Sequence, residues 1–162
     1  MSVNILSGPS GRVQRFRLVP APFQQTFKTP LTDLRRFVAT SLGFFSPERG
    51  ELSTDQVVFE PESILQYMAR RNLQLHDHYQ FTLDATGQAE IAELIEAAMA
   101  DWIDFLFVPS PEDFAIYADH DEYTTFYAVD SNTLHTLCTQ LCSSGFERVS
   151  SFRRKLGGDS RT

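Results

Sequence analysis

Two polar segments of the chain contain residue types that could bind a metal ion or transfer protons. One reads His76-Asp77-His78, and the other, residues 119–122, reads Asp-His-Asp-Glu. In a strand, residues i and i+2 point to the same side, so His76 and His78 could reach one ion. Imidazole and carboxylate are ligands that Zn²⁺ accepts in hydrolytic enzymes.

A metal site would require the two segments to meet in the fold. His76, His78, His120 and Asp119 would then be the ligands of a metal-dependent hydrolase, with Asp121 as an alternative to Asp119. This spacing is unspecific, because two histidines near acids occur often by chance. We therefore expect no metal and no cofactor, and surface polar residues at the ends of strands.

The segment 119–122 lies between two apolar runs and has a second interpretation. Asp119, Asp121 and Glu122 concentrate negative charge at the tip of an expected hairpin over 114–129. Tyr117, Tyr123 and Tyr127 alternate along that hairpin, and aromatic residues are enriched at the centres of protein interfaces. These six residues are the candidate binding site, and the alternative is a solvated polar turn.

Other catalytic signatures are missing from the sequence. Cys138 and Cys142 are spaced for one helix face and are interpreted as core or semi-buried thiols. The segment Gly8-Pro9-Ser10-Gly11 lacks the Lys-Ser/Thr end of a phosphate-binding loop, and neither GxSxG nor HExxH occurs. The sequence therefore favours a binding protein over an enzyme.

Composition and charge point to a soluble, acidic, single-domain protein. The chain has 162 residues, is 42% hydrophobic and carries a formal net charge of −7. Residues 1–32 contain no acid, and residues 153–162 carry four basic residues and one acid, so the negative charge lies in 33–152. An acidic body repels phosphate backbones and attracts a basic protein, so nucleic-acid binding is not expected. The absence of a signal-peptide pattern, a long apolar span and a cysteine framework predicts a cytoplasmic protein without a membrane segment.

Periodicity predicts an α+β fold with a mostly antiparallel or mixed sheet and about four helices. Proline, glycine and apolar spacing predict helices beginning near Pro30, near Pro61, over 86–102 and after Asp130, the third capped by Asp84 or Thr86. Alternation predicts strands over 12–21, 56–60, 73–83, 114–129 and 147–152, with a loop over 46–55. The expected organisation is a flexible lead over 1–11, one domain over 12–152 and a basic disordered tail over 153–162.

The 86–102 helix has the clearest apolar stripe in the chain. Its members are Ile91, Leu94, Ile95, Ala98 and Trp102. We expect this stripe, including Trp102, to be buried against the sheet.

These observations lead to one favoured function and two alternatives. The favoured hypothesis is a small acidic cytoplasmic binding module, of the immunity or inhibitor type, that captures a basic protein partner. The first alternative is the metal-dependent hydrolase, and the second is a structural subunit of a larger assembly whose basic ends dock elsewhere. Oligomeric state is left open.

Overall fold

The protein is described by a computed structural model covering residues 2–156. Five helices and eight strands are present in this range. The helices are α1 (Gly11–Leu18), α2 (Leu34–Phe45), α3 (Glu62–Ala69), α4 (Gln88–Ala100) and α5 (Ser131–Ser143). The strands are β1 (Ser2–Leu6), β2 (Phe23–Lys28), β3 (Arg49–Gln56), β4 (Thr82–Thr86), β5 (Asp104–Pro109), β6 (Phe114–Ala118), β7 (Tyr123–Ala128) and β8 (Arg148–Val149).

All eight strands form one antiparallel sheet in the order β1-β4-β3-β5-β6-β7-β2-β8. The expected α+β class is thus confirmed, with five helices instead of about four and without parallel pairs. β5, β6 and β7 are neighbours both in the chain and in the sheet. β1 and β8 are the two edge strands, so each has one side that no strand of the described chain pairs with.

Alternation along β5 shows how the sheet separates two cores. Phe105 and Phe107 belong to the large core beneath α2, α3, α4 and α5, whereas Leu106 and Val108 belong to a smaller core on the opposite face. This second core is covered by α1. β5 is therefore buried on both sides, which explains its continuous apolar sequence.

The position of α1 corrects the expected strand over 12–21. The residues that reach the second core are Val13 and Phe16, a helical spacing, while Leu18 is 82% exposed. The side chain of Ser10 caps the helix by accepting from the N–H of Val13. The alternation of Phe16 and Leu18 with arginines was therefore coincidental.

Four further expectations about strands and loops need correction. The segment 46–55, which was expected to be a loop, contains most of β3. The expected strand over 56–60 does not form, because β3 ends at Gln56. Only the last part of 73–83 is in a strand, because the Asp77 carboxylate accepts from the N–H groups of Tyr79 and Gln80 and turns the chain. Likewise, 147–152 contributes only the two residues of β8.

The N-terminal segment is also more ordered than expected. Residues 2–6, part of the expected flexible lead, form β1 and pair with β4 from Ser2↔Thr86 to Leu6↔Thr82. At the other end, Arg154 is hydrogen-bonded to Gln24 and Asp119, so the described part of the expected tail is held on the sheet. Residues 157–162 lie outside the described range.

The helices expected from apolar periodicity are confirmed, with altered ends. Asp130 caps α5 through the N–H of Asn132, and Gly145 follows that helix with φ 88° as expected for a C-terminal glycine. The cap expected for α4 is wrong, because Gly87 occupies that position. Trp102 lies beyond α4 and is 38% exposed, so the expectation that it is buried is also wrong.

No helix within residues 2–156 combines the length and apolar character needed to cross a membrane.

Candidate protein-binding surface

The β6–β7 turn carries the acids that the sequence singled out, and Asp119 has a structural role there. Its carboxylate accepts from the N–H groups of Asp121 and Tyr123, each at 3.0 Å, and lies 2.6 Å from the guanidinium of Arg154. The Asp119 side chain is only 10% exposed. Asp119 therefore shapes the turn and is not free to meet a partner.

The other two acids of the turn remain accessible. The Asp121 side chain is 75% exposed. Glu122 has φ 66°, a left-handed conformation that this tight turn requires, and its carbonyl accepts from the N–H of Thr29 at 2.7 Å. Only Asp121 and Glu122 of the predicted acidic set can thus contribute charge to a surface.

Two of the three predicted tyrosine anchors are buried beneath α1 and the C-terminal segment. The hydroxyl of Tyr117 donates to Asp55 at 2.6 Å, and burial, with the charge of Asp55, raises its pKa. Burial raises the pKa of Tyr127 to about 12. Tyr123 is half-buried against Phe152. The expectation of a tyrosine-anchored face on this hairpin is wrong for Tyr117 and Tyr127, since both belong to the second core.

The histidines do not meet as the metal hypothesis required. His78 pairs with Glu60 at 2.7 Å, and His120 pairs with Asp104 at 2.8 Å. His76 is exposed at the rim of a cleft of about 390 Å³ that lies between the β1–α1 connection and the 75–82 segment. Within residues 2–156, no group of three or more His, Cys, Asp or Glu side chains is placed to hold a metal ion.

Four large apolar side chains are exposed where three connections meet at one end of the sheet. They come from the β3–α3, α3–β4 and α4–β5 connections and form what we call the corner patch: Val58 (42% exposed), Phe59 (58%), Tyr79 (56%) and Trp102 (38%). Phe59 and Trp102 meet edge to face, with ring centroids 6.3 Å apart. Exposed apolar residues that occur together, instead of singly, mark interaction surfaces.

Hydrogen bonds hold the backbone around the corner patch. The carboxylate of Asp101 accepts from the N–H groups of Ser63 and Ile64 at 2.9 and 2.8 Å, which ties the α4–β5 connection to the first turn of α3. The next residue, Trp102, has φ 60°. A left-handed conformation is uncommon for a large aromatic residue, and here it directs the chain from α4 into β5.

The rim of the corner patch is acidic. The Glu60 carboxylate accepts from the Tyr79 hydroxyl at 3.2 Å, and Glu62 at the start of α3 and Asp77 in the α3–β4 connection are exposed. Asp104 lies two residues after Trp102 and binds His120, which brings the turn containing Asp121 to the same end of the sheet. The segments 56–62, 74–82 and 99–104 contain no lysine or arginine.

Sequence reasoning missed the corner patch because its residues are far apart in the chain. Phe59 was assigned to a strand, Tyr79 to another strand and Trp102 to a buried helix face. The available signal was the run Val57-Val58-Phe59, which ends two positions before Pro61 and is too short to be a central strand. Nothing in the sequence shows that this connection meets the other two.

The chain matches no known family, and comparison with curated proteins and solved structures found no significant relative. The function is therefore inferred from the exposed apolar residues of the corner patch and from its acidic rim.

Proposed function

We propose that this protein is a small acidic binding module that captures a basic protein partner through the corner patch, in the manner of an immunity or inhibitor protein. The observation that supports the proposal is the joint exposure of Phe59, Tyr79 and Trp102 beside an acidic rim. Tryptophan and tyrosine are the residues most often found as energetic centres of interfaces. While they are exposed to solvent, these aromatic side chains contribute no hydrophobic stabilisation. A bound partner would remove their apolar surface from water.

The distribution of charge supports a basic partner. Arginines neutralise acids over much of the remaining surface, as in the pairs Arg17–Asp55, Arg49–Asp84 and Arg70–Glu93. Within residues 2–156, Glu60, Asp104 and Asp121 pair with histidines, and no arginine or lysine forms a salt bridge with an acid of this rim. A lysine- or arginine-rich surface would be steered toward this end, and repulsive charges would exclude acidic competitors.

A second group of exposed apolar residues provides a natural comparison. Leu18, Val19, Phe23 and Val129 lie near the ends of α1 and β7 and the start of β2. This group lacks tryptophan and tyrosine, and Arg15 and Arg17 precede it in α1. It serves as the control surface for substitutions in the corner patch.

The free cysteines bear on the compartment, and the placement of the histidines and acids bears on the alternative functions. Cys138 and Cys142 are free thiols, which is consistent with the proposed cytoplasmic location. The metal-dependent hydrolase has no converging set of ligands within residues 2–156. A subunit of a larger assembly would also use the corner patch, but its partner would bind permanently and would not need to be basic.

The proposal is tested by comparing three tagged proteins as bait in extract from the native host at low salt. These are the wild type, the corner variant Phe59→Ala/Tyr79→Ala and the control variant Leu18→Ala/Val19→Ala. We expect a basic protein to be retained by the wild type and the control but lost from the corner variant. Its recovery should fall at moderate salt.

Two results would overturn the proposal. The first is a partner that the corner variant retains as well as the wild type does. The second is an acidic or salt-insensitive partner, which would indicate an assembly subunit. Circular dichroism of the three proteins checks that the variants are folded, which we expect because all four substituted side chains are more than half exposed.

A further inference from the structure

The outer side of β1 is an edge without the usual protection against strand pairing. β1 reads Ser-Val-Asn-Ile-Leu over residues 2–6 and contains neither a charged residue nor proline. Natural edge strands are commonly blocked by lysine, by proline or by being very short. The opposite edge of the same sheet follows that rule, because β8 has two residues and one of them is Arg148.

A cleft next to β1 could accept the side chains of an added strand. It has a volume of about 530 Å³ and is lined by Ile5, by Ala69 at the end of α3, and by Asn72, Leu73 and Gln74 in the segment that follows. Ile5 and Leu73 are only partly buried and pack against the main core. The helix face of β1 therefore continues into a cleft of mixed polarity at the sheet edge, in which Ile5, Ala69 and Leu73 supply the apolar surface.

We propose that β1 pairs with β1 of a second copy of this chain in antiparallel register, centred on Asn4. In this register, Val3 of each copy lies opposite Ile5 of the other copy, and the two Asn4 residues lie opposite each other. Val3 and Ile5 lie on the helix side, since both pack with the main core, so the pairing extends that core across the interface. Asn4 lies on the other side, and its amide has both a donor and an acceptor for its symmetry mate.

The electrostatics around β1 permit two acidic chains to meet there. Asp84 is the acid opposite Asn4 in the β1–β4 register, and its carboxylate is 3.0 Å from the guanidinium of Arg49. Behind the cleft, Glu90 is paired with Arg71, and Glu93 is paired with both Arg70 and Arg71. The edge is thus locally neutral despite the net charge of −7. A partner with a strongly basic strand would gain little here, which favours a second copy over the basic partner of the corner patch.

The first test is the oligomeric state of the full chain by sedimentation velocity over a range of concentrations. The wild type should be a dimer that dissociates on dilution. Asn4→Lys places two like charges opposite each other and should weaken the dimer by at least roughly tenfold. The control Gln140→Lys adds the same charge on exposed α5 and should not alter it. A wild type that is monomeric throughout, or a dimer that Asn4→Lys leaves intact, overturns the proposal.

The second test examines the register. Opposite residues of antiparallel strands have Cα atoms about 4.5–5.5 Å apart, within the range of a disulfide. In a Cys142→Ser background, Asn4→Cys should therefore form a covalent dimer under mild oxidation. Ser2→Cys should not, because in this register Ser2 lies opposite Leu6 and about 14 Å from its own mate. Equal cross-linking of the two variants, or none with Asn4→Cys, contradicts the register. Neither test involves the corner patch, so each proposal can fail alone.

Discussion

The guanidinium of Arg154 lies 2.6 Å from the carboxylate of Asp119, which ties the segment after β8 to the β6–β7 turn. Both side chains are nearly buried, at 11% and 10% exposed. The Arg154 guanidinium also donates to Thr125 and lies 4.4 Å above the ring of Tyr117. One arginine thus joins the C-terminal segment to two strands of the sheet.

Removing this arginine should destabilise the protein strongly. Arg154→Ala leaves Asp119 as a buried charge without its partner, and breaking such a pair costs about 3 kcal/mol or more. Arg153→Ala is the matched control, because Arg153 is exposed and should change the free energy of unfolding by less than about 0.5 kcal/mol. Urea denaturation followed by circular dichroism measures both. Equal effects of the two variants would show that the segment is not anchored through Arg154.

Elements with a clear apolar period could be predicted from the sequence. In α4, Ile91, Leu94 and Ile95 recur at helical spacing and all three are fully buried, as expected. The β6–β7 hairpin was likewise visible from its two apolar runs and its polar turn. Such patterns are local, because a helix face or a strand face is defined by residues close in sequence.

The elements that could not be predicted depend on burial of polar residues. Glu51 in β3 is 1% exposed, and its carboxylate accepts from the N–H of Ser10 at 2.8 Å and lies near Arg12. The polar sequence of β3 predicted a loop, since the residues of α1 that satisfy it lie about forty positions earlier. The corner patch could not be predicted for a related reason. Its three connections are far apart in the sequence and meet only through the topology of the fold.

The contact between β3 and β5 gives a prediction that tests the packing of the main core. A Cβ added at Gly50 would lie 2.2 Å from the ring of Phe107, which is fully buried. Gly50→Ala should therefore cost about 3 kcal/mol through overpacking. The double variant Gly50→Ala/Phe107→Leu provides space and should be more stable than the sum of the two single changes predicts. Additive losses would show that the two residues do not share this space.

The pair formed by His120 and Asp104 should make stability depend on pH. The hydrogen bond that His120 donates to the Asp104 carboxylate raises the pKa of His120, burial opposes this rise, and the charges of Asp104, Asp121 and Asp119 add to it. Because the pKa of His120 is higher in the folded state than its unfolded value of about 6.5, protonated His120 stabilises the fold. This stabilisation is fully present at pH values below the unfolded pKa. This stabilisation is lost as the pH rises through the folded pKa.

The wild type should therefore exceed His120→Gln in stability by more at pH about 5.5 than at pH about 8.5. Chemical denaturation of both proteins at the two pH values measures the difference. His135→Gln is the control, since His135 is exposed on α5 and should show a smaller change of this difference. A gap between wild type and His120→Gln that widens toward high pH would contradict the assignment.

The two parts of the corner patch should affect different rates of partner binding. Rim charges act on diffusional encounter, whereas a buried aromatic anchor acts on the lifetime of the complex. With the partner captured as proposed, Glu62→Gln/Asp121→Asn should slow association and flatten its salt dependence with little change in dissociation. Phe59→Ala should instead speed dissociation by about thirtyfold, as expected for loss of an anchor of about 2 kcal/mol.

Glu147→Gln removes an exposed charge beside the opposite edge strand and is the control for the total charge. Glu147→Gln removes one charge and the rim variant removes two, so if Glu147→Gln slows association at least half as much, steering comes from the net charge of the protein and not from the corner patch.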